Sequence, residues 1–103
     1  MIYIYHRKQD AGTPLTVDQA NGELASHQYE KVARITCNSL LVAEQRSNYQ
    51  GWITKARVSP MAPMSPDPVP VRPTKVGDIL ERDGRMYLIT QHGFVSMMTL
   101  ETA

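Results

Sequence analysis

The prolines of this chain are concentrated in one segment, and that segment limits where regular structure can form. Six of the seven prolines lie between residues 59 and 73. Proline fixes φ and lacks a backbone N–H, so neither a helix interior nor a central strand tolerates this spacing. We therefore predict that residues 59–74 form an extended, polyproline-like loop inside the domain.

The residues that follow the proline-rich segment carry the clearest pattern of the chain. Asp83-Gly84 and His92-Gly93 mark two tight turns. Glycine tolerates the positive φ that a two-residue hairpin needs, and aspartate does so better than most residues. Around these turns the sequence predicts a three-stranded antiparallel meander. Its predicted strands are residues 76–82, 85–90 and 94–100.

Two further strands are predicted before the proline-rich segment. Residues 1–8 alternate isoleucine with tyrosine, which is the two-residue period of a pleated strand. Residues 28–37 form the second strand, and strict alternation places Lys31 on one of its faces and Arg34 on the other. Neither face is apolar throughout, so we expect both to be partly covered.

Two short helical segments complete the prediction. Thr16 and Gln19 have the spacing of a helix capping box. Asn21-Gly22 is a turn dipeptide in the middle of this segment, so residues 16–26 form either a short helix or a single helical turn. A second helix of about two turns is expected after Asn38, a good N-cap residue.

These elements predict an α+β fold in a single domain covering residues 1–103. A chain of this length normally forms one domain with one modest core. We expect the strand at residues 1–8 to pair with the strand at residues 28–37, and the meander to extend that sheet or fold over it. One or two short helices pack on one face, and a small barrel is the alternative architecture.

Charge and composition exclude several classes of function. Eleven Lys and Arg face ten Asp and Glu, and a net charge of +1 produces no general field that attracts DNA or anionic lipid. No apolar stretch approaches the roughly 20 residues of a membrane helix. Cys37 is the single cysteine, so no internal disulfide forms. The first residues lack the layout of a signal peptide, and we expect a cytoplasmic protein.

The potentially reactive residues do not form a recognisable catalytic or metal-binding motif. Cys37 and the three histidines lack ligand spacing, and no phosphate-binding loop is present. Asp78, Glu81 and Asp83 are interpreted as turn and solvated strand charges. The sequence therefore predicts no catalytic residue, no metal and no cofactor, and a protein that is not an enzyme. The histidines are His6, His27 and His92.

Three kinds of binding surface remain as hypotheses. The leading one is an unidentified protein partner, with a homodimer as a variant, and a surface for single-stranded nucleic acid is the second. A small-molecule pocket lined by Tyr29, Cys37, Tyr87 and His92 is the third. The candidate interaction residues are Tyr3, Tyr5, Arg7, Lys8, Trp52, Met61 and Met64.

A longer pattern runs from residue 29 to residue 98. It consists of YEKVA at 29–33, LxxA at 40–43, SN at 47–48, Trp52, KVGDI at 75–79, DG at 83–84, Tyr87 and GF at 93–94. This pattern resembles a diffuse group of small uncharacterised bacterial, plasmid and phage proteins. The resemblance implies a strand, a short helix, a tryptophan, a VGD strand and a DG hairpin in this order, and it suggests an origin in a mobile element. It implies no mechanism, because the group has no assigned activity.

Overall fold

The computed structural model describes residues 1–9, 12–52, 58–60 and 72–97, and it confirms the α+β class. All the strands in these residues join one antiparallel sheet in the order β3-β2-β1-β4-β5-β6. The predicted C-terminal meander is confirmed, and it consists of β4, β5 and β6. The elements in chain order are β1 (Ile2–Arg7), α1 (Val17–Ala25), β2 (Tyr29–Ile35), α2 (Leu40–Ser47), β3 (Val58–Pro60), β4 (Ile79–Arg82), β5 (Arg85–Thr90) and β6 (Gly93–Ser96).

Strand β1 lies inside the sheet and joins its two halves. It pairs with β2 on one side, where Ile2 lies opposite Ile35, and with β4 on the other, where Ile2 lies opposite Arg82. The predicted pairing of the first two strands is therefore confirmed. The meander extends this sheet through β4 instead of folding over it, so the sheet is open.

The two helices pack on opposite faces of the sheet, so the prediction that they share one face is wrong. Consecutive apolar residues explain the difference. Ile79 and Leu80 are both completely buried, and successive strand residues point to opposite faces, so both faces need a cover. Helix α2 covers the face of Leu80 with Ala43, and we call this the α2 face. Helix α1 covers the face of Ile79 with Ala20, and we call this the α1 face.

Helix α1 continues through Asn21-Gly22, so the segment forms a helix and not a single turn. The predicted capping box is present: the Thr16 hydroxyl accepts from the Gln19 N–H, and the Gln19 side chain accepts from the Thr16 N–H. Ala20 is completely buried against the sheet. A single glycine inside a helix costs roughly 1 kcal/mol relative to alanine. Tertiary packing of this kind outweighs that cost.

Several element boundaries differ from the predicted ones. Strand β4 begins at Ile79 and not at residue 76, because Gly77 has a φ of 94° and turns the chain. The N-cap of α2 is Ser39, whose hydroxyl accepts from the Val42 N–H, and not Asn38. The predicted loop at 59–74 begins within the edge strand β3, where proline is tolerated. Residues 61–71, with Met61 and Met64, lie outside the described residues.

Candidate functional site

A β-bulge in β2 changes which residues share a face of the sheet. Tyr5 pairs with Lys31, whereas the residue before Tyr5 pairs with Ala33, so Val32 is an extra residue in β2. Val32 and Ala33 are consecutive, and both are buried in the core of the α2 face. Lys31 and Arg34 therefore both lie on the α1 face, although strict alternation had separated them. A bulge is a common means of redirecting a side chain.

Two tyrosines of β1 lie beside these cations. The Lys31 ammonium is 4.7 Å from the ring centroid of Tyr3 and 5.4 Å from that of Tyr5, within the range of a cation–π interaction. The Tyr5 hydroxyl donates a hydrogen bond of 2.6 Å to Oε1 of Glu81. Burial, reinforced by this bond, raises the pKa of Tyr5 well above its usual range. Tyr5 is therefore a neutral, firmly oriented ring.

The residues of this region form a continuous row across four neighbouring strands. Tyr3 of β1 lies opposite Arg34 of β2 and opposite Glu81 of β4, and Glu81 lies opposite Met86 of β5. Lys31 and Arg34 are exposed, and the other members are half-buried. We call this surface the open face. Its residues are Tyr3, Tyr5, Lys31, Arg34, Glu81 and Met86.

Helix α1 lies toward the other end of β1, and Tyr5 and Met86 of the open face pack against the same core as its Ala20. Arg7, at that end, forms a two-bond ion pair with Glu23 of α1, with Nε–Oε1 and Nη2–Oε2 distances of 2.6 Å each. This pair fixes α1 beside Arg7, the last residue of β1. Arg7 is therefore a structural contact between helix and sheet and not part of the candidate interaction surface.

The open face has a net positive charge. Within the described residues, neither Lys31 nor Arg34 lies within ion-pair distance of a carboxylate. Glu81 is the carboxylate of this surface, and it accepts the hydrogen bond from Tyr5. The open face thus presents two exposed cations beside two aromatic rings.

Trp52 was predicted as an exposed contact residue, and this prediction is wrong. Its side chain is completely buried in the core of the α2 face, with its ring centroid 5.8 Å from that of His6. The indole N–H donates a 2.9 Å hydrogen bond to the backbone carbonyl of Arg72. Trp52 and the tyrosines of β1 therefore lie on opposite faces. Lys8 is exposed beyond the end of β1.

A buried polar cluster, which sequence reasoning missed, lies next to Trp52. Asp78 is completely buried, although it was interpreted as a solvated charge. Its carboxylate accepts bonds of 2.7 Å from both Nη atoms of Arg72 and bonds of 2.8 Å from the N–H groups of Arg7 and Lys75. The position of this aspartate between Gly77 and an isoleucine was the only sequence signal of its burial.

His6 completes the cluster as a neutral side chain. Its Nε2 atom is 2.8 Å from the Thr74 hydroxyl and 3.9 Å from Oδ2 of Asp78. Burial lowers the pKa of His6 to about 4, and Arg72 adds to this effect while Asp78 opposes it. At neutral pH the ring therefore carries no charge, and its bond to Thr74 is one between neutral groups.

The cluster contains a hydroxyl, an imidazole and a carboxylate, but not in the geometry of a nucleophilic triad. In a triad one ring nitrogen faces the hydroxyl and the other faces the carboxylate. Here the same atom, Nε2 of His6, faces both Thr74 and Asp78. Thr74 is also buried, and its N–H donates to the Ser47 carbonyl at 2.6 Å. The arrangement holds residues 72–78 against β1 and α2.

The four residues suggested for a small-molecule pocket do not lie together. Tyr29 is buried on the α1 face, where its hydroxyl donates to the Gly77 carbonyl. Tyr87 lies opposite Leu80, and Cys37 packs against the same core, so both lie on the α2 face. His92 is exposed in the turn between β5 and β6. The predicted pocket is therefore not formed by these residues.

The parts of the chain described above contain neither a metal-binding group nor a membrane-spanning helix. In those parts no three His, Cys, Asp or Glu side chains are grouped so that they could hold a metal ion. Neither α1 nor α2 has the length and apolar character needed to cross a membrane. Comparison with protein-family models, with curated proteins and with solved structures gave no match. The function is therefore inferred from the residues of this chain alone.

Proposed function

We propose that this protein is a non-enzymatic binding protein that contacts another protein through its open face. One observation carries the proposal: the bulge in β2 brings the exposed side chains of Lys31 and Arg34 beside Tyr3 and Tyr5. Tyrosine, arginine and methionine are enriched at protein interfaces, and aromatic and arginine side chains supply most hot spots. The open face combines these residue types.

The polar side chains of the buried cluster bond to groups inside the fold, and this supports a binding function over a catalytic one. His6, Thr74 and Asp78 bond to one another or to neighbouring backbone inside the fold. A general acid or base must reach a substrate proton. These three side chains are buried, so their visible role is to hold the chain together.

A photo-crosslinking experiment tests the proposed function. The photoreactive residue p-benzoylphenylalanine replaces Thr36, which is exposed two residues beyond Arg34 and makes none of the contacts described above. The matched control carries it at Leu41, which is 53% exposed on α2. After irradiation in the source cells, we expect a protein adduct of defined mass from position 36 and none from position 41. Absence of an adduct at 36, or equal adducts at both positions, would contradict the proposal.

A second candidate function is binding of single-stranded nucleic acid. It is favoured by the two cations that flank two tyrosine rings on one sheet face, because such surfaces stack bases and pair with phosphates. The position of Lys31 favours a protein instead, since its ammonium occupies the ring faces on which bases would stack. Anisotropy of a labelled 12-nucleotide oligothymidylate at low salt tests this candidate, because phosphate contacts are strongest there.

A further inference from the structure

We infer that the partner segment on the open face is extended and acidic, with carboxylates on alternate residues. This inference rests on the proposed function and names the chemistry of the partner. The first support is the charge of the surface: Lys31 and Arg34 are exposed and have no carboxylate within ion-pair distance among the described residues. Complementary charge across an interface favours association and selects the partner.

Two other charged groups near this surface already have partners, and the cations of the open face remain in excess of its one carboxylate. Glu81 accepts the hydroxyl of Tyr5, and Arg7 is held by Glu23. Glu30 precedes Lys31 in β2 and therefore points to the opposite face. On the open face a partner thus meets two cations without an ion-pair partner among the described residues and one carboxylate, that of Glu81.

The spacing of the two cations specifies the form of the partner. Lys31 lies opposite Tyr5 and Arg34 lies opposite Tyr3, so their backbone positions are two steps of β1 apart. A strand rises about 3.3 Å per residue, which separates these positions by roughly 7 Å. Residues i and i+2 of an extended peptide have the same separation and point to the same side. Two such carboxylates can therefore approach the two exposed cationic side chains.

The test uses two labelled pentapeptides, Glu-Val-Glu-Val-Glu and its matched neutral form Gln-Val-Gln-Val-Gln. We expect the acidic peptide to bind the wild-type protein more tightly than the neutral one in a fluorescence anisotropy titration. The double variant Lys31→Glu/Arg34→Glu should bind the acidic peptide at least about tenfold more weakly, because two attractive pairs become repulsive. The same variant should bind Lys-Val-Lys-Val-Lys better than the wild type does.

The control variant is Lys8→Glu/Arg85→Glu, which changes the net charge by the same amount at two exposed positions outside the open face. It should bind the acidic peptide as the wild type does. Buried Trp52 supplies a fluorescence check that each variant is folded. Equal loss in both double variants would overturn the inference, since overall charge would then explain binding.

Other results separate the inference from the proposed function. Equal affinity of the wild type for the acidic and neutral peptides overturns the inference that the partner is acidic. Tighter binding of the oligothymidylate, lost in Lys31→Glu/Arg34→Glu, overturns it in favour of nucleic acid. A dimer in sedimentation that dissociates in the same variant overturns it in favour of a second copy. If position 36 still crosslinks to a protein when the peptides fail, the binding face stands and only the acidic chemistry falls.

Discussion

At the scale of single residues, Asp78 and Asp83 lie five positions apart and have different roles. Asp78 is completely buried and accepts hydrogen bonds from Arg72 and from two backbone N–H groups. Asp83 is exposed in the β4–β5 turn, with a φ of 53°. The turn role of Asp83 follows from its glycine neighbour. The buried role of Asp78 depends on Arg72, which approaches it from another segment of the fold.

Replacement of Asp78 by Asn should strongly destabilise the protein. The substitution leaves the guanidinium of Arg72 without its counter-ion and places an amide NH₂ against N–H donors. Loss of one partner of a buried pair costs about 3–5 kcal/mol. Because the Arg72 side chain is 27% exposed, we expect about 2–3 kcal/mol in urea denaturation. Asp83→Asn is the matched control, and equal midpoints for the two variants would refute the structural role of Asp78.

His6 should make the free energy of unfolding depend on pH below neutrality. The unfolded residue takes up a proton near its ordinary pKa of 6.5, whereas the folded residue does so only near a pKa of about 4. Protonation therefore favours the unfolded state, and stability is full above pH 6.5 and declines as the pH falls from 6.5 to 4. Linkage gives a loss of about 3 kcal/mol across this window.

The measurement compares urea denaturation of the wild type and of His6→Gln at several pH values between 4 and 7. Glutamine can still bond to the Thr74 hydroxyl but does not titrate, so the variant should lose stability less steeply than the wild type. His92→Gln leaves the buried cluster intact and serves as the matched control. Parallel curves for His6→Gln and the wild type would count against a buried neutral histidine.

At the scale of elements, two glycines differ in whether their position tolerates a side chain. One lies within α1, and the other lies just before β4. Gly22 has helical neighbours and open space around the position of an added Cβ. Gly77 has a φ of 94°, and a Cβ there would lie 2.8 Å from the Thr13 carbonyl oxygen. The first glycine is replaceable, and the second is required by the turn that delivers Asp78 to the core.

Gly22→Ala should therefore stabilise the protein by roughly 0.5–1 kcal/mol, because alanine has the higher helix propensity and restricts the unfolded chain. Gly77→Ala should destabilise it by more than about 1 kcal/mol through steric clash and backbone strain. Urea denaturation of the two variants beside the wild type measures both effects. A destabilised Gly22→Ala would show that α1 does not continue through this position in solution.

Elements with strong local signals were predictable, and features that depend on distant segments were not. The turn at Asp83-Gly84 and the capping box of Thr16 are visible in a few consecutive residues, and both are present. The bulge at Val32 is set by pairing with β1, so no pattern within β2 reveals it. The open face was predicted only in part: Tyr3 and Tyr5 were named, but Lys31 and Arg34 were separated by strict alternation.

At the scale of the whole molecule, the buried cluster links segments that are far apart in sequence. Asp78 bonds to the backbone of Arg7 at the end of β1, and Thr74 bonds to Ser47 at the end of α2. The indole of Trp52 bonds to Arg72 in the same region. Helix α2 and the sheet are thus connected through one set of contacts, and the Arg7 side chain adds α1 through Glu23. We expect these elements to unfold together.

Trp52 provides a direct measurement of this cooperativity. It is the only tryptophan and is completely buried, so its emission should lie at shorter wavelength in the folded protein than in urea. The emission change and the loss of far-UV circular dichroism should have the same midpoint, as in a two-state transition. Midpoints that differ would show that the region around Trp52 unfolds separately from the rest of the sheet.

The central position of β1 has a consequence for the order of assembly during synthesis. Its pairing with β2 uses residues that leave the ribosome before β4 does, but its other edge pairs with β4, where Ile2 meets Arg82. Contacts between such distant residues form slowly, because a long loop must close first. Until then the nascent β1–β2 pair exposes an unpaired edge that contains Ile2 and Ile4. This edge is where we expect chaperones to bind and misassembly to begin.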